Sequence, residues 1–270
     1  MRITFIGGGN MTTSLVGGLL AKGFDRSMLS VAEPIHEQRK RLRERFAVAV
    51  HADNALAVTD ADAIVLAVKP QQLADVARQL AAALGARRAL VISIAAGIRL
   101  ADLERWLGAG CALVRAMPNR PALIGAGVAA LFARETVTPP ERDAAEAILR
   151  AGGATVWLAE ESQMDAVTAI SGSGPAYFFL LTEALEQAGL AFGLPAETAR
   201  LLAIETARGA GCMVAQGPES PARLREQVTS AGGTTAAALA VLDQADVRGI
   251  FARAIKAAAE RSMQLADEYR

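Results

Sequence analysis

The eight residues Val228-Thr229-Ser230-Ala231-Gly232-Gly233-Thr234-Thr235 gather hydroxyl side chains and glycines ahead of a helical pattern over 236–242. A helix start needs one capping hydroxyl, whereas here Thr229, Ser230, Thr234 and Thr235 flank two adjacent glycines. The main-chain N–H groups collected by such a turn form a nest for a small carboxylate. A second glycine group, Gly7-Gly8-Gly9, follows the apolar run Ile3-Thr4-Phe5-Ile6 and precedes a helical pattern at 14–21. Strand, tight turn and helix in that order cradle a dinucleotide: Gly7 takes the turn angles, Gly9 leaves room for a pyrophosphate, and the first N–H groups of the helix face the anion. Thr12 stands where the fingerprint usually has Gly or Ala, so helix and strand are expected to sit slightly further apart there.

The residues that are missing narrow the chemistry. Reducing a ketone or oxidising an alcohol moves a proton on oxygen, normally through His, Lys or Tyr. The two histidines, His36 and His51, lie far in sequence from the glycine-threonine segment. Reducing an imine asks less, because the nitrogen arrives protonated and hydride transfer neutralises its charge. A hydroxyl contact to nitrogen and a carboxylate clamp then suffice, so these residues permit an imine reductase for a small carboxylate substrate.

The elements that must position these groups follow from periodicity. A strand at 29–32 ends in Glu33-Pro34, and an acidic residue at that place hydrogen-bonds the adenosine ribose and repels a 2'-phosphate. Glu33 leans toward NADH, while His36 and Arg39 stand near enough to meet a phosphate; His36 reads equally well as a surface helix residue. The basic run at 39–45 is a solvated helix face. Residues 63–68 form an unbroken apolar run ending in Lys69-Pro70, as a strand buried on both faces reads. The turn after it should lie over the cofactor, with Lys69 lining the crevice rather than acting as a base. Further strands are expected at 48–50, 89–92, 112–115, 127–132 and 155–158, with helices at 37–46, 71–84, 100–107 and 140–150. Asn54 opens a short helical pattern, the small residues of Ser93-Ile94-Ala95-Ala96-Gly97 let backbone approach a ligand, and the proline-bounded loop Met117-Pro118-Asn119-Arg120-Pro121 presents Asn119.

Beyond Glu160-Glu161 the strand pattern ceases. The chain therefore reads as an α/β protein with an N-terminal Rossmann-type dinucleotide-binding domain over 1–160, followed by an all-α domain over 161–270. Ser171-Gly172-Ser173-Gly174-Pro175 is expected to open a long helix with proline at its first position, and Pro195 and Ser220-Pro221 to open others. So much apolar, Ala- and Gly-rich helix is better buried against a second copy than left in water.

Lys plus Arg equals Asp plus Glu at 28 each, so no net field favours nucleic acid or an anionic membrane. A small-molecule partner fits better. Cys111 and Cys212, far apart, suggest neither a disulfide framework nor a metal site. With no signal-peptide pattern and no bilayer-length apolar run, a cytoplasmic protein is expected.

The chain resembles the pyrroline-5-carboxylate reductase family along its whole length. The likeness runs from Phe5-Ile6-Gly7-Gly8-Gly9-Asn10-Met11 through Leu66-Ala67-Val68-Lys69-Pro70, Ser93 to Gly97 and Arg115-Ala116-Met117-Pro118-Asn119. It continues to Ser171-Gly172-Ser173-Gly174-Pro175-Ala176-Tyr177 and the glycine-threonine segment, and the last two are highly specific together. The resemblance implies a helical domain that interlocks with a second subunit, with dimers assembling into decamers. It implies that Gly7, Gly8, Gly9, Asn10 and Met11, with Asn54, Val68, Lys69, Pro70, Ala95, Ala96 and Gly97, serve NADPH or NADH, and the flanking Ile6 and Ala67 with the strand-end Glu33 and the loop residue Asn119 complete the expected cofactor site. It implies that Ser230, Gly232 and the backbone of Gly233 and Thr234 clamp the pyrroline carboxylate, and that Thr235 hydrogen-bonds the ring nitrogen. Arg120 and Ala231 depart from the family's usual threonine and proline. Two other readings stay open: a β-hydroxyacid dehydrogenase using Lys69 or another lysine as acid and base, and a non-catalytic dinucleotide sensor. The reductase reading carries one spatial expectation, that the pocket ahead of Ala236 meets the nicotinamide when two subunits come together.

Overall fold

A computed structural model describes residues 1–85 and 87–269. Two compact units emerge: Met1–Ser173 together with Ala258–Arg270, and Gly174–Ala257. The first is built on strands β1 (Ile3–Ile6), β2 (Leu29–Ala32), β3 (Ala49–His51), β4 (Ala63–Leu66), β5 (Leu90–Ser93), β6 (Ala112–Pro118), β7 (Gly127–Ala133) and β8 (Gly153–Trp157). They form one sheet in the order β3-β2-β1-β4-β5-β6-β7-β8, parallel throughout except where β7 runs against β6. The intervening helices are α1 (Asn10–Ala21), α2 (His36–Phe46), α3 (Asn54–Ala57), α4 (Pro70–Leu84), α5 (Leu100–Leu107) and α6 (Pro139–Leu149).

Both faces of the central strands are apolar, and their period of two divides the side chains into two layers. Ile3, Phe5, Val65 and Ile92 meet Leu15, Val16, Ile148 and Leu149 in one layer. Ile6, Ile64, Leu66 and Val91 meet Leu73, Leu80, Leu103 and Trp106 in the other. The strand order reverses between β1 and β4, and a ligand crevice opens at the carboxyl ends of parallel strands flanking such a point.

The apolar run at 63–68 leaves the strand ladder at Leu66, two residues earlier than its composition suggests. The Ala67 N–H still bonds the Ile6 carbonyl at 2.8 Å, so Ala67 and Val68 form the wall of the crevice rather than more sheet.

This unit runs past the expected boundary at 160. The Glu161 carboxylate takes the Leu100 N–H at 2.8 Å and the Arg115 guanidinium at 3.1 Å, and the Asn119 amide donates to the Ser171 carbonyl at 3.0 Å. Residues 161–173 are thus tied to the sheet. They wind through α7 (Met164–Val167) into a π-helical turn, Thr168–Gly172, closed by the Ser173 N–H on the Thr168 carbonyl at 2.8 Å. Ser171-Gly172-Ser173 is therefore part of a helical run rather than the open turn its glycines suggest, and the next helix starts at Gly174 with Pro175 in second place.

The second unit holds α8 (Gly174–Ala191), α9 (Ala196–Gln216), α10 (Pro221–Gln227), α11 (Thr234–Gln244) and the first half of α12 (Val247–Glu268). Small residues bring α8 against α9: a side-chain carbon on Gly189 would lie 3.0 Å from Ala199 Cβ. Tyr177 and Phe251 meet edge to face, ring centroids 6.4 Å apart. Phe178, Phe179, Leu180, Leu181, Phe192 and Leu201 stand exposed on this unit.

Candidate active site

The glycine turn behaves as its residue types require. Gly7 has φ +98, and a side-chain carbon there would lie 2.8 Å from the Ala67 carbonyl oxygen, so only glycine fits. A carbon on Gly9 would meet nothing within 4 Å. That open space lies at the start of α1, where Gly9 is the N-cap and no side chain covers the first amides. Thr12 is fully buried, and its hydroxyl donates to the Gly7 carbonyl at 2.5 Å, tying the first turn of α1 to the residue that follows β1.

A cleft of about 510 Å³ lies over these residues and brings together Gly7, Gly8, Gly9, Glu33, Asn54, Ala67, Val68 and Lys69. Gln71, Gln72 and Ile35 also line it, and sequence reading missed them because they directly follow the recognisable motifs without belonging to them. Uncapped helix amides, an open glycine and a cleft at the strand reversal fit a dinucleotide. A larger hollow of about 690 Å³ runs along the side of α1 past Gly17, Gly18 and Ala21, away from that helix start.

Glu33 is placed differently from a free ribose ligand. It is 6% exposed, and its two carboxylate oxygens accept the Gly8 N–H at 2.8 Å and the Ile35 N–H at 2.9 Å. The acid braces the glycine turn from below. Arg39 donates to the carbonyls of Glu33 at 2.8 Å and Pro34 at 2.6 Å, whereas His36 is exposed beside Glu37 on the helix surface. Asn119 is equally committed, its amide donating to Ser171 and its oxygen accepting the Val128 N–H at 2.9 Å. Ile6 is buried and its side chain belongs to the core, so only its main chain reaches the turn. Asn10 is exposed on the first turn of α1 with Met11 half-buried beside it, and Lys69 is exposed as the N-cap of α4, with Pro70 its first residue. The turn after β5 keeps Ala95 and Gly97 buried and Ala96 half-buried.

In the second unit, α11 begins at Thr234, two residues before its expected start, because Gly233 takes the extended cap conformation. Thr234 and Thr235 therefore sit in the first helical turn rather than in a preceding loop. Gly232 is left-handed at φ +68, and a side-chain carbon on Gly233 would fall 2.4 Å from Ser230 Oγ. The turn is closed by the Gly233 N–H on the Ser230 carbonyl at 3.0 Å and by the Thr229 hydroxyl on the Arg225 carbonyl at 2.6 Å. Among the described residues no side-chain hydrogen bond caps α11, which leaves the amides of its first turn open, with Ser230 just before them and the half-buried Thr235 in that turn. Such an arrangement can hold a carboxylate and offer one hydroxyl to a neighbouring atom.

Residues 161–265 match the profile described as pyrroline-5-carboxylate reductase dimerisation, and residues 2–97 match NADP oxidoreductase coenzyme F420-dependent. The pyrroline-5-carboxylate reductase of Pseudomonas aeruginosa is 46% identical over 267 residues, covering 99% of this chain and 97% of its own. This chain belongs to the pyrroline-5-carboxylate reductase family. The structure of a family member from Coxiella burnetii superimposes with a TM-score of 0.94 at 42% identity, covering 98% of each chain. That of the Plasmodium falciparum pyrroline carboxylate reductase, with NADP bound, gives 0.86 at 28% identity over 98% of each chain.

Proposed function

We propose that this chain reduces L-1-pyrroline-5-carboxylate to L-proline with NAD(P)H, the final step of proline biosynthesis. The observation that carries the reading is the presence, in one member of this family, of both an open glycine turn at a strand reversal and an uncapped, hydroxyl-flanked helix start. Bound NAD(P)H supplies a hydride to the ring carbon. Residues 1–160 serve the cofactor: the amides at the start of α1 hold the pyrophosphate, Gly9 leaves it room, and Asn54, Val68 and Lys69 line its path. The 95–97 turn, outside that lining, joins them on the family resemblance alone. Within residues 161–270, the second unit, Gly174–Ala257, serves the substrate and self-association. Ser230 and the Thr234 amide hold the carboxylate; the Gly233 N–H, which the resemblance would add to the clamp, is spent on the Ser230 carbonyl and closes the turn instead, Gly232 giving it its left-handed angle. The Thr235 hydroxyl accepts a hydrogen bond from the protonated ring nitrogen and so fixes the face of the ring presented for reduction. No lysine occupies the helical segment around Ser171 to Pro175, where a β-hydroxyacid dehydrogenase would carry its acid.

The exposed aromatic and aliphatic residues of the second unit support a homodimer at least, and a decamer built from five dimers is the fuller assembly we infer. No described helix is long and apolar enough to cross a membrane. The free Cys111 and Cys212 suit a reducing, cytoplasmic setting. The purified protein, given pyrroline-5-carboxylate and NADPH or NADH, is expected to yield L-proline in a one-to-one ratio with oxidised cofactor. Oxidised cofactor without proline would overturn the substrate assignment.

A further inference from the structure

The final turns of α12 and the residue after them belong to the first compact unit. There they touch the cofactor cleft at Gln71 and, outside its lining, the turn that follows β5. The Tyr269 hydroxyl accepts a hydrogen bond from the Gln71 side-chain amide at 2.9 Å, and Gln71 lines the cleft. The edge of the same ring, at Cδ2, would lie 3.4 Å from a side-chain carbon on Gly97, with Leu265 Cβ and the Ala266 nitrogen at 3.5 Å. Arg99, two residues further on, pairs with Asp267 at 3.2 Å. Gln71 lies beyond β4 and Gly97 beyond β5, and these strands are parallel neighbours. One aromatic residue after α12 therefore spans the first turn of α4 and the turn after β5, the segments that leave two central strands. Nothing in the cofactor motifs signals this, because Tyr269 lies 198 residues from Gln71 in sequence.

We propose that Tyr269 is a positioning residue for the dinucleotide, holding Gln71 and the 95–97 turn in the cofactor-ready arrangement before the cofactor enters. The proposal rests on the cofactor assignment made above. Loops ordered in advance need not be ordered on binding, so the benefit falls on affinity rather than on the chemical step. Tyr269→Phe removes the hydrogen bond and keeps the ring, whereas Tyr269→Leu also removes the ring edge against Gly97.

Fluorescence titration of NADPH and NADH into the full-length protein, with steady-state kinetics, separates these effects. Tyr269→Phe is expected to raise Kd and KM for both cofactors about three- to fivefold, as loss of one neutral hydrogen bond does. Tyr269→Leu should raise them further, with kcat at saturating cofactor within about twofold of wild type in both variants. In the cofactor-free protein, amides of residues 95–97 should exchange hydrogen faster in Tyr269→Leu than in wild type. Unchanged Kd in both variants overturns the proposal, as does a loss confined to kcat or to Tm, which would mark the tail as a support of the fold alone. Wild-type protein that binds neither cofactor removes the underlying assignment instead, and the proposal falls with it.

Discussion

Thr235 occupies the first turn of α11, half-buried, so a helix rather than a mobile loop sets the direction of its hydroxyl. Thr235→Ala should lower kcat/KM for pyrroline-5-carboxylate about 10- to 100-fold, the range for a hydrogen bond to a charged group. Thr235→Ser should recover most of it, and unchanged kinetics in the alanine variant would remove the residue from the site. Glu33 makes a different case. Its place at the end of β2 is legible in the sequence, but its carboxylate turns under the glycine turn to take the Gly8 and Ile35 N–H groups. That choice depends on how two amides are aimed in three dimensions, which spacing does not encode. As a brace, Glu33 should matter equally to both cofactors. Glu33→Ala should weaken NADH and NADPH by similar factors in parallel titrations, whereas a variant that gained NADPH affinity alone would make Glu33 a ribose reader.

At the scale of elements, the apolar runs at 63–68 and 89–92 declare buried parallel strands because both faces are covered, and β4 and β5 are found there. The start of α11 was harder to place, since threonine serves equally as a cap or in a first turn and the cap fell to Gly233. The π-helical turn Thr168–Gly172 has no sequence signal at all; glycine and serine there suggest a break. What holds this connector is tertiary. Arg115 is 4% exposed in β6, and its ion-pair partner Glu161 is 24% exposed at the start of the connector. Glu161→Ala would leave a buried guanidinium without its counter-charge and take the acceptor from the Leu100 N–H. The expected cost is about 3 kcal/mol, the low end for a broken buried pair because Glu161 keeps some contact with solvent. Denaturant unfolding checks this, and a loss below about 0.5 kcal/mol, the level of an ordinary surface substitution, would show that the pair is not holding the connector.

For the whole molecule, the composition shift after residue 160 announces a change from sheet to helix, yet residues 161–173 and the end of α12 pack with the sheet unit. Helical periodicity shows that a face is apolar without showing what covers it. Ser262 meets Asp165 at 2.6 Å across 97 residues of sequence, a return invisible to local pattern. The covering of Phe178, Phe179 and Phe192 is likewise a question of assembly, because these rings are 62–89% exposed in the single chain. Light scattering at micromolar concentration should give a dimer or larger species, and a stable monomer would contradict the self-association proposed here. The most direct test of the whole account is the steady-state oxidation of NADPH and NADH by purified, folded protein with and without pyrroline-5-carboxylate. The account predicts oxidation of at least one cofactor that depends strictly on the substrate and saturates with it; no turnover with either would contradict it.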